Sequence, residues 1–294
     1  MLRSLYSGVS GMKNLQTKMD VISNNIANVN TTGFKTGRVR FEDMISQTIS
    51  NAQTNVNAKQ VGLGVQVGSV DNVMGGGNLQ STGRDLDFAI ENGDNSFFTV
   101  SPDGEDEAVF YTRDGGFYLN PNNELVTASG YHVMGVMAPA GTKNDATFDI
   151  GTIEYDAAAG MSKVEIPKTM VDDDGVAQPL DSYSIDSTGI IFGVYNGTSY
   201  IVGQVSLTNF SNPGGLEKIG GNMYQATNNS GEPQVGSAHQ DGYGTIRSGF
   251  LEMSNVDLSN EFTEMIVASR AYQANSRSIT TSDQMIEELL SLKR

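Results

Sequence analysis

Two histidines, His132 and His239, are the only imidazoles in a chain of 294 residues that has no cysteine and no tryptophan. Neither stands at ligand spacing from a second histidine or a glutamate, so each reads as an ordinary residue, His132 in a strand-like stretch and His239 in a polar loop. The lack of cysteine excludes disulfides, thiolate zinc sites, iron–sulfur clusters and cysteine nucleophiles. The glycines of GLGVQVG (Gly62, Gly64, Gly68) superficially match a phosphate loop. They lack its lysine and lead into strand-like VQVGSV rather than a helix, so a glycine-rich turn is expected. Asp172, Asp173, Asp174 and Gly175 carry calcium-type oxygens, but Met170 stands where the loop needs an acid and Asp181 where it needs a glutamate. A hairpin turn is the better reading. There is no G-x-S-x-G elbow, and among many carboxylates no pair stands out for glycoside hydrolysis. The residues predict no enzyme, no metal and no cofactor.

The charge distribution turns attention to binding. Lys and Arg number 18 against 34 Asp and Glu, a formal net charge of −16. Such an acidic surface opposes nucleic acid as the main partner. The charge is uneven: residues 1–40 carry +5, residues 251–294 carry −3, and the middle carries the rest. Weakly and oppositely charged ends therefore flank an acidic, solvated middle. No apolar run approaches the roughly 20 residues of a bilayer span, so no membrane insertion is expected. The start, MLRSLYSGVSGMKN, lacks the apolar stretch of a cleavable signal peptide.

Hydrophobic spacing gives the elements. Leu5, Gly8, Met12, Leu15, Met19, Ile22, Ile26 and Val29 alternate three and four apart, the seam of a coiled coil. At the other end Leu251, Leu258, Met265, Tyr272, Ile279 and Ile286 recur every seven residues, with Phe262 and Leu290 at companion positions. Asp257 or Ser259 can cap this second helix, which no Pro or Gly interrupts. The apolar seams at the two chain ends need partners and are expected to pack on each other. Leu2, Val9, Leu289 and Leu292 lie off the seams and are candidates for contact between subunits.

Between the helices the period is that of strands. Aromatic runs such as FFTV, VFYTRDGGFYL and ELVTASGYHVMGV alternate with turn residues, as in hairpin-linked sheets. The expected fold class is mixed and mainly β, with nested discontinuous β domains on an inner α-helical coiled-coil domain formed by the two termini. The expected divisions are 1–33 with 255–294 for the helical domain and 34–70 for a linker arm. A β core follows at 71–138 with 197–254, and an inserted outer β domain at 139–196.

Three stretches resemble one family. MLRSLYSGVSGMKNLQTKMDVISNNIANVNTTGFK is similar to the N-terminal signature of bacterial flagellar rod and hook proteins. SNVDLSNEFTEMIVASRAYQANSRSITTSDQMIEELLSL is similar to the matching C-terminus, with Ser269 where the family commonly has Gln. STGRDLDFAI and YTRDGGFYLNPNNELVTASGYHVMG resemble the β core of these subunits. The motif residues are Asn24, Asn25, Asn28, Gly33, Phe34 and Lys35. The asparagines can tie the helix end to the arm that follows, and Gly33 can let the chain reverse. Phe41 and Ile45 resemble the export-gate recognition element of such subunits, and two buried core residues are the plain alternative.

The resemblance implies a helical homopolymer outside the cell, reached through the flagellar type III export apparatus without a cleavable signal. Its implied neighbours are the distal rod protein, the hook cap and the hook–filament junction proteins. The leading expectation is the hook, a curved, flexible tube that works as a universal joint, favoured by STGRDLDFAI and the acidic segment 139–196. The alternative is the distal rod, a rigid drive shaft, favoured by the length of 36–61. A cell-wall-binding or cell-wall-cleaving protein is a third reading and would need an acid pair or metal site. A soluble adaptor fits poorly with helices at both extremes.

Overall fold

The computed structural model describes residues 2–51, 54, 57–104, 108–138, 161–171 and 177–292. The chain is mainly β, with its first and last helices packed on each other. It forms two compact units. One comprises residues 1–29, 36–73 and 256–294, and the other residues 30–35 and 74–255.

In the first unit, helix α1 spans Leu2–Ala27 and helix α2 spans Leu258–Ser291. Asp257 caps α2, its carboxylate accepting from the amides of Ser259 at 2.9 Å and Asn260 at 3.3 Å. That satisfies two of the helix's orphan donors. The helices run antiparallel: Ser4 meets Ser282, Gly11 faces Asn275, and Lys18 pairs with Glu264. Residues 34–70, expected as a linker arm, are largely strand from Gly37 onward. Strands β1 (Gly37–Asp43) and β4 (Val65–Asn72) pair antiparallel, and β2 (Ser46–Ser50) pairs with β3 (Lys59–Gly62) beyond them. The result is a hairpin arm whose base lies beside α1, where the Asn14 side-chain amide donates to the Val65 carbonyl. The glycine cluster belongs to this arm. Gly64, at φ +134°, approaches Ser10 of α1 so closely that a Cβ would lie 2.3 Å from its Oγ.

The second unit is built on an antiparallel sheet. Its long strand, Thr198–Asn209, pairs with Ile190–Tyr195, His132–Met137, Ser96–Ser101 and Gln234–Ser237. SFFTVS is buried at all six positions, so both of its faces are covered. Successive side chains point to opposite faces of a strand. Phe98 accordingly packs with Phe88, Phe117 and Leu207, while its neighbour Phe97 joins Tyr111, Phe210 and Tyr224 in a second core. Edge-to-face ring pairs knit both cores, among them Phe98–Phe117 at 5.3 Å and Tyr111–Phe210 at 4.7 Å.

Of the segment expected as an inserted domain, residues 139–160 and the run Asp172–Asp174 with Gly175 lie outside the described residues. The remainder is continuous with the sheet: Ala177–Ile185 pairs with Ile190–Tyr195, which pairs with the long strand.

Candidate assembly surface

The helices pair an apolar line on α1 with a mixed face of α2 that includes small and polar groups. On α1 the line Leu5, Gly8, Met12, Leu15, Met19, Ile22, Ile26 is half-buried or buried throughout, and Val29 beyond the helix end is half-buried. A Cβ on Gly8 would stand 3.0 Å from Ile279, and one on Gly11 would stand 2.8 Å from the Asn275 amide. The backbones approach where α1 has no side chain, so α2 answers with short or polar residues. Its buried positions are Glu261, Ala268 and Ser282.

This shifts the face of α2 from the one its apolar heptads suggest. Met265, Ile279 and Ile286 are half-buried, whereas Leu258, Phe262, Tyr272 and Leu290 are exposed. Ile266, Val267, Met285, Leu289 and Leu292 are exposed too, as are Tyr6 and Val9 on α1. Phe262 leaves 50% of its surface uncovered and Leu290 64%. The side chain of Leu2 lies outside the described residues. These exposed side chains fall in two groups on α2, Phe262, Ile266 and Val267 near its start and Met285, Leu289 and Leu292 near its end.

The outer part of the hairpin arm adds to that surface. From Phe41 to Ser50 every residue is exposed, although Phe41, Met44, Ile45 and Ile49 are apolar. Phe41 and Ile45 are therefore not core residues: Ile45 is 83% exposed. An isolated two-stranded ribbon is marginal in water and gains stability when one face is covered.

Asn25 joins these parts. Its side chain is 1% exposed, donates to the Gly37 carbonyl at 2.9 Å and accepts from the Gly37 amide at 3.0 Å. It also donates to Glu261 on α2 at 3.2 Å, and burial pushes the Glu261 carboxyl up. Asn24 and Asn28 do something different. The Asn28 amide donates to the Asn24 carbonyl at 2.9 Å, closing the last turn of α1.

Gly33, Phe34 and Lys35 lie in the β unit and form part of its polar interior. Gly33 has φ +66°, and a Cβ there would meet the Asp114 nitrogen at 2.6 Å. Lys218 sits 4.8 Å over the Phe34 ring and donates to the Lys35 carbonyl at 2.9 Å. Lys35 is fully buried and ion-paired with Glu252, itself 1% exposed. The other Glu252 oxygen pairs with Arg113 at 3.1 Å. Two cations thus share one carboxylate, and the excess positive charge is met by backbone carbonyls, Gly75 for Lys35 and Gly93 for Arg113. Burial, and then the neighbouring Arg113, lower the Lys35 pKa. Burial pushes Glu252 upward, but Arg113 and Lys35 outweigh it and hold the carboxyl below its usual range. Arg113 and Glu252 are the members that spacing did not single out. Glu252 could have been found as a charge between Leu251 and Met253, whereas Arg113 stands among Thr112, Asp114 and glycines and carried no such signal.

The two histidines stand in different settings. His239 is a turn residue at φ +72°. His132 Nδ1 lies 3.7 Å from Glu124, whose nearer partner is Lys163. Among the described residues no group of three or more His, Cys, Asp or Glu is placed to hold a metal ion. Among the described residues no helix is long and apolar enough to cross a membrane.

Comparison with known proteins accords with this picture. Residues 5–35 match the family described as flagella basal body rod protein, and residues 90–193 match the flagellar hook protein FlgE/F/G D1 domain. Residues 247–292 match the flagellar basal body rod FlgEFG protein C-terminal family. The flagellar basal-body rod protein FlgG of Bacillus subtilis (strain 168) is 46% identical over 302 aligned positions, covering 100% of both chains. Borreliella burgdorferi supplies two relatives, each aligned over 100% of both chains. Its flagellar basal-body rod protein FlgG is 36% identical over 303 positions, and its flagellar hook protein FlgE is 31% identical over 446.

Proposed function

This chain belongs to the family of flagellar rod and hook proteins, and from that premise we propose that it is a distal-rod subunit, one of the identical parts of a rigid drive shaft. The observation that carries this reading is the pair of relatives from one bacterium. The rod protein aligns across 303 positions with this chain of 294, whereas the hook protein needs 446. A chain of hook type would carry a large additional body, and this one has the length of the rod relatives. That comparison supports the rod alternative better than the hook expectation.

The mechanism is mechanical. In the polymer the exposed stripe of α2, with Phe262, Ile266 and Leu289, is covered by neighbouring subunits. Each of these side chains is already about half covered, so covering the rest stabilises the assembly by roughly 1 kcal/mol apiece. The hairpin arm lies along a neighbour and stiffens the shaft, because a ribbon held on one face resists the sliding that bending requires. Catalysis plays no part in this role. Export through the flagellar type III apparatus precedes assembly, and the exposed Phe41 and Ile45 are available to its gate while the arm is still uncovered. The polymer's neighbours are the hook at its outer end and the remainder of the rod at its inner end.

Immunogold electron microscopy on isolated hook–basal bodies tests the assignment, with an epitope tag inserted in the exposed turn after Gly197. Gold confined to the straight shaft is the expected result. Gold along the curved segment would overturn it and restore the hook.

A further inference from the structure

We propose that Lys35, Arg113 and Glu252 form a latch that ties together, within the β unit, the stretches by which the chain passes between its two units. The chain changes unit at 29/30, 35/36, 73/74 and 255/256. Residues near these points meet at Glu252, through its carboxylate or its main-chain carbonyl, and at the adjoining stretch Gly75–Asn78. The Gly33 amide donates to the Glu252 carbonyl at 2.8 Å, which holds segment 30–35. Lys35 Nζ donates to Glu252 and, at 3.0 Å, to the Gly75 carbonyl, which holds the stretch after residue 73. The Gly77 amide donates to Glu252 Oε1 at 2.9 Å. The stretch before 256 is held by Met253, whose amide donates to the Asn78 carbonyl at 2.9 Å, and by Asn255, whose side chain donates to Gly75 at 3.0 Å.

An apolar cluster would fill this space at a lower desolvation cost. What it would not do is specify partners. Each bond here is directional, and freeing any single stretch strips at least one partner from a buried charge, Lys35 or Glu252. The stretches are therefore released together or not at all. A pull or twist delivered through any of them is shared by all, which suits a subunit under torque. The latch is a property of the single chain and does not depend on whether the assembly is shaft or joint.

Native-state hydrogen exchange on the full chain tests it, comparing wild type with Lys35→Met and Glu252→Gln. The amides of Gly33, Gly77 and Met253 are expected to exchange at least about a hundredfold faster in Glu252→Gln, the low end of what an unpaired buried charge costs, and about tenfold faster in Lys35→Met, which loses charged hydrogen bonds but leaves Glu252 with Arg113. Amides of Phe98 and Leu207 in the core strands are expected to keep their protection. Unchanged protection at the three latch amides, or equal acceleration of every amide, would overturn the proposal. If either variant fails to fold, the wild type in rising denaturant decides. A single opening shared by the three amides below global unfolding upholds the latch, and three separate openings, or none short of global unfolding, sink it.

Discussion

Asn25 and Gly37 exchange two hydrogen bonds, side-chain amide to carbonyl at 2.9 Å and backbone amide to side-chain oxygen at 3.0 Å. The pairing imitates one rung of a β ladder, so the end of α1 serves as the strand partner that begins the arm. Asn25→Asp removes the donor and places a carboxylate against the Gly37 carbonyl and Glu261. It should destabilise the helical unit by about 2–3 kcal/mol, the range for a buried polar group left unpaired. Asn24→Ala, on the exposed side of the helix, should cost under about 1 kcal/mol. Urea denaturation followed at 222 nm separates the two.

Gly33→Ala should be far worse than its size suggests. The added methyl meets the Asp114 nitrogen at 2.6 Å, and the backbone is held at φ +66°. Overpacking and left-handed strain together place the cost at roughly 2–5 kcal/mol. Gly130→Ala, at φ +86° with open space around it, keeps only the strain. A comparison of their denaturation midpoints isolates the steric part.

Phe262→Ser and Ile266→Ser should leave the monomer's melting temperature within about 2 °C, since exposed positions contribute little to the isolated fold. Both should prevent polymer formation, read by electron microscopy and sedimentation. Gly11→Val is the converse case, because its side chain would enter the space of Asn275. That variant should lose helical stability before assembly is in question.

Acid should attack the β unit first. Glu252 is held below the ordinary carboxylate range by Arg113 and Lys35, and Glu124 by its bonds to Lys163 and Asn120. A depressed acid contributes stability that is complete above its unfolded pKa, near 4.5, and lost as pH falls through the folded value. Glu261 in the helical unit is raised by burial. Its sign is opposite: it favours the folded state more as pH falls through its folded value toward 4.5. Between pH 5 and 2, near-UV ellipticity from the β unit's tyrosines should therefore be lost before the helical signal at 222 nm.

Much of this was legible in the amino-acid order. The three-four spacing from Leu5 to Val29 traces the protected line of α1, and Asp257 caps α2 as its position suggests. The facing side of α2 was not legible, for a physical reason. Apolar period locates a stripe that must be covered but does not say by what. Here Gly8 and Gly11 let Ile279 and Asn275 come close, Ala268 and Ser282 are buried, and the apolar heptads divide, Met265, Ile279 and Ile286 half-buried but Leu258, Phe262, Tyr272 and Leu290 exposed. The polar node was hidden differently. Lys35, Arg113 and Glu252 are remote in sequence, and only the fold makes them neighbours.

Lys18 and Glu264 close an ion pair across 246 residues, so α1 is made long before the helix it packs on. Until α2 follows, the seam of α1 has no partner in its own chain, and the helical unit has a contact order set by that long separation. The β unit, complete once residue 255 has emerged, has no such wait. Premature pairing of one copy's α1 with another's α2 is then the characteristic error this topology must avoid, and concentration, not temperature, is the variable that controls it.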